Sequence, residues 1–440
     1  HPSQRGHLKQ ALLKVGWPAE DEAGYVDGGA PPIALDTSDW HLRASHAAGY
    51  STGVVATEDT ARGPVVVVLF TAQPEPRPVF VDVVPRSPGV YRMAALKGSY
   101  SILAFEDIDR DLHLGAGEPA VIVKDGVALR MADANGPIGP EDMGYIQVPT
   151  RSAPGLVVPP VFGEAYEALL KRRAQSLGGL VSLDDAARYQ RREVREGLVE
   201  PVKFMQEGRS GLFMLEPYDA ARIPVIFVHG LNGSPRNWEA MIDALDPARY
   251  QPWVFFYPSG LTIGVQTLLL DHAIDAMQER YRFTKSVIVA HSVGGLVARG
   301  ALNLAYREGR PPPVQHLLTL STPWLGHDGA RWAEIGITRV PASWRDMAPD
   351  SAYMEAALSV EVPPGVAHTL FFGVGGRAWY PFGNNDGAVS LSSVLAPAAQ
   401  ARANYVAGFD ESHASILSSP EVIERVKQRL LDVEAGRVGR

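Results

Sequence analysis

Apolar and polar positions along the chain fall into two textures, and the change comes just before the midpoint. Up to about residue 135 the apolar residues come in short runs, 65–71, 79–84, 90–95, 100–105 and 120–123, punctuated by Gly, Pro and Asp. After the first 15 residues no long helical period interrupts them, so this part predicts a small antiparallel β-sandwich. Residues 136–215 open on a Pro/Gly-rich stretch and continue with two helical periods, 163–176 and 183–196, which together predict a helical connector. Ser182, three residues before Asp185, gives the second helix a loose capping box. From about residue 216 apolar runs, the one at 224–228 wholly so, alternate with helical periods. Strands are predicted at 224–228, 253–257, 286–290, 314–320, 368–374 and 404–409, and helices at 235–245, 265–281 and 293–307. Ser234 and Pro235 supply the N-cap and first position of the first of these helices. Strands apolar on both faces and joined by crossover helices predict a doubly wound, mostly parallel α/β sheet.

The length of 440 residues suits two or three domains. A balance of 41 basic against 49 acidic residues, net −8, argues against nucleic acid as a partner, because phosphate binding needs a concentrated basic surface. The absence of cysteine excludes disulfides, thiolate zinc sites and a Cys nucleophile. It fits a reducing compartment and a disulfide-free exported protein equally. No apolar run approaches the roughly 18 residues that span a bilayer, so no transmembrane segment is expected. The chain begins with His1 rather than Met, which reads as a trimmed or processed form, from which a signal segment or a lipid-bearing Cys could have been removed upstream. Export in bacteria, to the periplasm, the envelope or the medium, is the expectation, with a cytoplasmic location left open.

The candidate chemistry starts at Ala290-His291-Ser292-Val293-Gly294-Gly295, between a predicted strand and a predicted helix. A Ser on so sharp a turn lifts its hydroxyl above the sheet, and the turn tolerates only small residues two positions away on each side. A Ser hydroxyl is a poor nucleophile at neutral pH. It needs a base, and the base needs an orienting carboxylate. His413 follows the last predicted strand and is the candidate base. Asp386, in Asn385-Asp386-Gly387, follows the strand before it and is the candidate acid, although Asp-Gly is also a common turn pair. Asp410 and Glu411 are its rivals. His291 reads as a packing or hydrogen-bonding neighbour, and His272, His316, His327 and His368 as surface or core residues. An oxyanion needs waiting donors. The N–H groups of Val293 and of Leu231, in the glycine-bearing loop His229-Gly230-Leu231-Asn232-Gly233, are the candidates.

Taken together, His229-Gly230-Leu231, Ala290-His291-Ser292-Val293-Gly294, Ser321-Thr322-Pro323-Trp324-Leu325-Gly326, Asp386-Gly387 and His413 resemble the α/β-hydrolase superfamily on its bacterial lipase and esterase side. The resemblance covers about residues 216–440. It implies carboxylic-ester hydrolysis through an acyl-enzyme with no cofactor, on a small-molecule or lipid ester. It also implies a lid after the Ser-Thr-Pro segment. Residues 324–364 carry Trp324, Trp332, Trp344, Met347 and Tyr353 in a long insertion, and a lid over an acyl pocket, with peripheral membrane association, is the expectation.

In the first half, Asp107, Asp109, Asp111 and Glu118 have the spacing of a calcium loop, so a structural calcium is a further expectation. Leu112 in place of glycine and the strand-like flanks favour a hydrated acidic hairpin loop instead. Two alternatives to hydrolysis stay open: acyl transfer to an alcohol on the same three residues, and a non-catalytic envelope-binding role of the first domain.

Overall fold

The structure is a computed structural model, and it describes residues 49–71, 76–95, 98–129, 141–152, 163–307, 309–310, 313–330, 341–358, 362–375 and 384–437. They divide into two compact units, at His46–Ser176 and Leu177–Arg440.

In the first unit the strands are β1 (Gly49–Thr57), β2 (Val65–Thr71), β3 (Arg77–Val84), β4 (Gly89–Ala95), β5 (Gly98–Glu106), β6 (Ala120–Leu129) and β7 (Glu141–Val148). They form a three-stranded sheet, β4-β1-β7, and a four-stranded sheet, β3-β2-β5-β6. Val55, Tyr91, Met93, Ile146 and Val148 of the smaller sheet share one core with Val65, Val67, Leu69, Ile102 and Ala104 of the larger. The alternate residues of β2 and β5, Val66, Val68, Leu103 and Phe105, pack on the other face with Tyr166 of the helix Glu164–Ser176. Burial on both faces explains why β2 is an unbroken apolar run. The strand β7 lies inside the stretch read as a Pro/Gly-rich connector. The helix after it packs within this unit, so it is no linker.

The second unit adds β8 (Leu177–Leu180), β9 (Gly211–Met214), β10 (Ile223–Val228), β11 (Tyr250–Phe256), β12 (Ser286–His291), β13 (Val314–Leu320), β14 (Ala367–Gly373) and β15 (Tyr405–Phe409). The sheet order is β15-β14-β13-β12-β10-β11-β9-β8. From β11 to β15 every neighbouring pair is parallel, and β9 runs antiparallel to β11. Residues 177–215, also read as connector, contribute two strands and three short helices to this unit. Leu198 and Leu212 enter one of its cores and Tyr189, Phe204 and Phe213 the other.

Period-two alternation assigns each strand residue to a face. Ile226, Val228, Ile288 and Ala290 join the core under the helices Ile263–Tyr281 and Val293–Arg307. Val225, Phe227, Val287 and Val289 join the core under the C-terminal helix Pro420–Glu434, through Val422, Val426 and Leu430. The chain builds outward from β10 to β11, then crosses back to β12 on the other side. The carboxyl ends of β10 and β12 are therefore the switch point of the sheet, the place where such sheets bind ligands. The described helices include none long and apolar enough to cross a membrane.

Candidate active site

The turn at that switch point is built by steric exclusion. β12 ends at His291, the helix starts at Val293, and Ser292 between them has φ of 53°, in the left-handed region that L-residues avoid. The strain is held by close approach on every side. A Cβ on Gly294 would lie 2.5 Å from the carbonyl oxygens of Val228 and His229, and one on Gly295 would lie 2.0 Å from Thr322 Oγ1. A Cβ on Gly230 would lie 2.9 Å from that of Ser292. The loop after β10 is thus in contact with the nucleophile candidate, and only glycine fits there. Ser292 N–H donates to Leu320 O at 2.9 Å, tying the turn to β13.

Asp386 and His413 are brought together. His413 Nδ1 donates to Asp386 Oδ2 at 2.7 Å, and the His413 backbone N–H donates to Asp386 O at 2.8 Å. The other carboxylate oxygen, Oδ1, accepts Ala388 N–H at 3.0 Å and Val389 N–H at 2.7 Å. Burial pushes the Asp386 carboxyl up, but the imidazole charge and hydrogen bond and the two N–H donors outweigh it and hold the group at about 2. Of the rivals, Glu411 accepts Ser415 Oγ at 2.5 Å, and Asp410 is exposed. Ser292 Oγ and His413 Nε2 make no hydrogen bond to each other. Such links are often long in the unliganded state and tighten around substrate.

The N–H groups of Leu231 and Val293 have no hydrogen-bond acceptor among the described residues, whereas their neighbours are engaged. Asn232 N–H donates to Ser259 Oγ at 3.0 Å, and Gly233 N–H donates to Gly230 O at 3.1 Å. His229 stacks on Tyr257 with ring centroids 4.2 Å apart, and Tyr257 OH donates to His229 O at 2.6 Å. Tyr257 and Ser259, which shape this loop, carry no local sequence signal. His291 Nε2 donates to His413 O at 2.8 Å, so the residue before the nucleophile candidate holds the backbone of the base.

The remaining candidates lie elsewhere. Trp324, Trp344 and Met347 are fully buried in the core beneath Val293–Arg307, so these three lid candidates face inward. The described insertion residues include the short helices Ala342–Asp346 and Ala352–Leu358, while Trp332, Ile335, Ile337 and Val340 lie outside the described residues. In the first unit, ligand atoms of Asp107, Asp109 and Glu118 lie within 4.8 Å of one another, without Asp111. Their carboxylates accept backbone N–H groups of their own loop. Asp107 takes Asp111 at 3.1 Å and Leu112 at 3.2 Å, and Glu118 takes Ile108 at 2.6 Å and Gly115 at 2.8 Å.

Five histidines of the second unit are buried: His229, His291, His316, His327 and His368. Burial lowers all five, to about 4 for His229 and to about 3 for His291, His316 and His368, and His327 is lowered as well. Below pH 6.5 the unfolded chain takes up protons that the folded chain refuses. Stability is therefore full above that pH and lost as pH falls, at up to about 1.4 kcal/mol per pH unit for each imidazole. Three groups act in the opposite sense: Asp346, which burial raises to about 7, Asp107, which burial also raises, and the partly exposed His113, raised by its hydrogen bond to Glu167, three against five. Urea unfolding at stepped pH is expected to show a steep fall in stability between pH 6.5 and 4. A flat profile over that range would contradict neutral burial of these side chains.

Residues 221–347 match a family model described as "Putative serine esterase (DUF676)". The match spans β10 and the Ser292 turn and stops before Asp386 and His413. Similar solved structures include the lin2722 gene product of Listeria innocua, 19% identical over 48% of this chain and 94% of that one, TM-score 0.37. The mature lipase BlEst2 of Bacillus licheniformis is 20% identical over 50% of this chain and 97% of that one, TM-score 0.41. Est1E from Butyrivibrio proteoclasticus is 18% identical over 51% of this chain and 93% of that one, TM-score 0.35. Among curated proteins, a segment of 43 residues is 67% identical to the DNA 3'-5' helicase XPB of Mycobacterium tuberculosis, and to that of Kineococcus radiotolerans. That likeness covers 10% of this chain and 8% of each helicase, so nine-tenths of this chain has no part in it. Residues 221–347 are thus similar to a serine esterase family, and they lie on the doubly wound, mostly parallel α/β sheet of the second unit.

Proposed function

We propose that the protein hydrolyses carboxylic esters through a covalent acyl-enzyme. The observation that carries this reading is the 2.7 Å bond between His413 and Asp386, on the loops that follow the two strands after β13, beside the strained Ser292 turn. In the proposed cycle Ser292 Oγ attacks the ester carbonyl as His413 Nε2 takes its proton. The N–H groups of Leu231 and Val293 receive the developing oxyanion. Collapse of the tetrahedral intermediate breaks the ester C–O bond, and His413 returns the proton to the departing alcohol. Water, deprotonated by His413, then attacks the acyl carbonyl, releasing the acid and regenerating Ser292. Asp386 stays ionised throughout and stabilises the imidazolium. The cycle uses side chains, backbone N–H groups and water only. The first unit, two sheets around a shared core, is read as a β-sandwich accessory domain.

The substrate class proposed is an ester with an apolar acyl chain. Each methylene buried on binding contributes about 0.8 kcal/mol, or roughly fourfold in kcat/KM while the pocket has room. A series of nitrophenyl esters is expected to show kcat/KM climbing from acetyl to medium-chain esters. A maximum at acetyl would mark a small-ester esterase instead. Product analysis with added alcohol separates hydrolysis from acyl transfer.

A further inference from the structure

His327 joins two segments far apart in the chain. It lies after β13, and its backbone N–H donates to Met347 O at 2.7 Å, within the insertion. Its ring is 5.0 Å from that of Trp344. Two contacts assign its tautomer. Nδ1 accepts the N–H of Gly329 at 3.0 Å, so it carries no proton, and Nε2 meets a carbonyl oxygen, that of Ala388, at 2.7 Å, so it donates. A Cβ on Gly329 would lie 2.9 Å from the imidazole, so the close approach that locks this tautomer requires glycine. Ala388 belongs to the turn whose N–H groups, Ala388 and Val389, grip the carboxylate of Asp386. His327, Ala388 and Asp386 are all buried, so these bonds are shielded from competing water. The path from insertion to base is continuous: Met347 and Gly329 to His327, to Ala388, to Asp386, to His413.

We propose that His327 is a positioning residue that ties the insertion to the acid turn and so aims Asp386 at His413. The inference rests on the ester-hydrolase reading in which Asp386 is the acid. Without the bond, the carbonyl of Ala388 is left buried and unpaired, and the turn reorients to find another donor. Displacing a catalytic group by about 1 Å costs on the order of 100-fold in rate. Substrate binding, which does not use the turn, is spared.

The test compares His327→Leu, which cannot donate, with His327→Gln, whose amide can. The leucine variant is expected to lose between about 10- and 100-fold in kcat on a nitrophenyl ester, with KM within about twofold of the parent. The glutamine variant is expected to recover most of the loss. A second readout needs no turnover. The proton shared by His413 Nδ1 and Asp386 is expected as a far-downfield NMR resonance in the parent and in His327→Gln, assigned by its loss in Asp386→Asn, and is expected to move upfield or broaden away in His327→Leu. If the leucine variant does not fold, His327→Met fills similar space without a donor and takes its place. Unchanged kcat with an unchanged resonance in the non-donor variant would overturn the proposal, as would a glutamine variant as impaired as leucine. A parent that cleaves no ester would sink the ester-hydrolase reading, while the resonance would still decide the role of His327.

Discussion

Ser292→Ala is expected to leave the melting curve where it stands and to lower kcat on nitrophenyl esters by about 10⁴-fold or more. The fold should tolerate the change. Ser292 sits at φ of 53° because Gly294, Gly295 and Gly230 allow the surrounding backbone to close on it, and alanine can occupy the same turn. The chemistry should not tolerate it, since the Ser292 hydroxyl is the attacking group of the proposed cycle. A fluorophosphonate probe is expected to label the parent at Ser292 alone and to leave the alanine variant unlabelled. Labelling at another serine, or turnover retained in the variant, would remove Ser292 from the mechanism.

Asp386→Asn is the second large effect, with an expected fall in kcat of several orders of magnitude, about 10⁴-fold by the behaviour of such triads. The asparagine is isosteric, so Ala388 and Val389 can still donate to its amide oxygen. What disappears is the charge that orients and stabilises the His413 imidazolium. The matched change at the exposed Asp410 is expected to cost less than threefold. Steady-state kinetics on both variants decides between them, and a larger loss at Asp410 would mean that the carboxylate is misassigned.

The sequence carried the parallel strands of the second unit clearly, because the interiors of β10 and β12 are apolar on both faces, β13 holds Leu317, Leu318 and Leu320, and turn residues with few alternatives follow. It also marked the Ser292 turn, where small residues, an apolar strand and a helix coincide. Asp386 was harder to single out, since Asp-Gly is a turn signal in any protein. Its distinguishing feature is a bond to a residue 27 positions later, and no local pattern reports that. His327 was invisible for the same reason, its partner Ala388 being 61 residues away. In the first unit β7 was missed because its run, Glu-Asp-Met-Gly-Tyr-Ile-Gln-Val, lacks clear alternation and sits among prolines and glycines. The strand β8, Leu-Gly-Gly-Leu, is too short to leave a period. Aromatic residues in the insertion were compatible with a lid and with a core, and Trp344 and Met347 lie in the core because the apolar underside of the α/β layer needed cover.

The order in which the sheet is laid down separates the catalytic parts in another way. The nucleophile candidate and the proposed oxyanion donors are rooted in β10 and β12, at the centre, whereas the candidate acid and base hang from β14 and β15, the last two strands toward one edge. An edge strand has a neighbour on one side only, and β15 alternates half-buried with exposed residues over most of its length. Local opening in proteins concentrates where such support is thin. The machinery thus has a durable half and a perishable half, and loss of function and loss of fold become separable events. On the ribosome the same order acts in time: a nascent chain can complete the central strands while β15 and the candidate base His413 are still to be made.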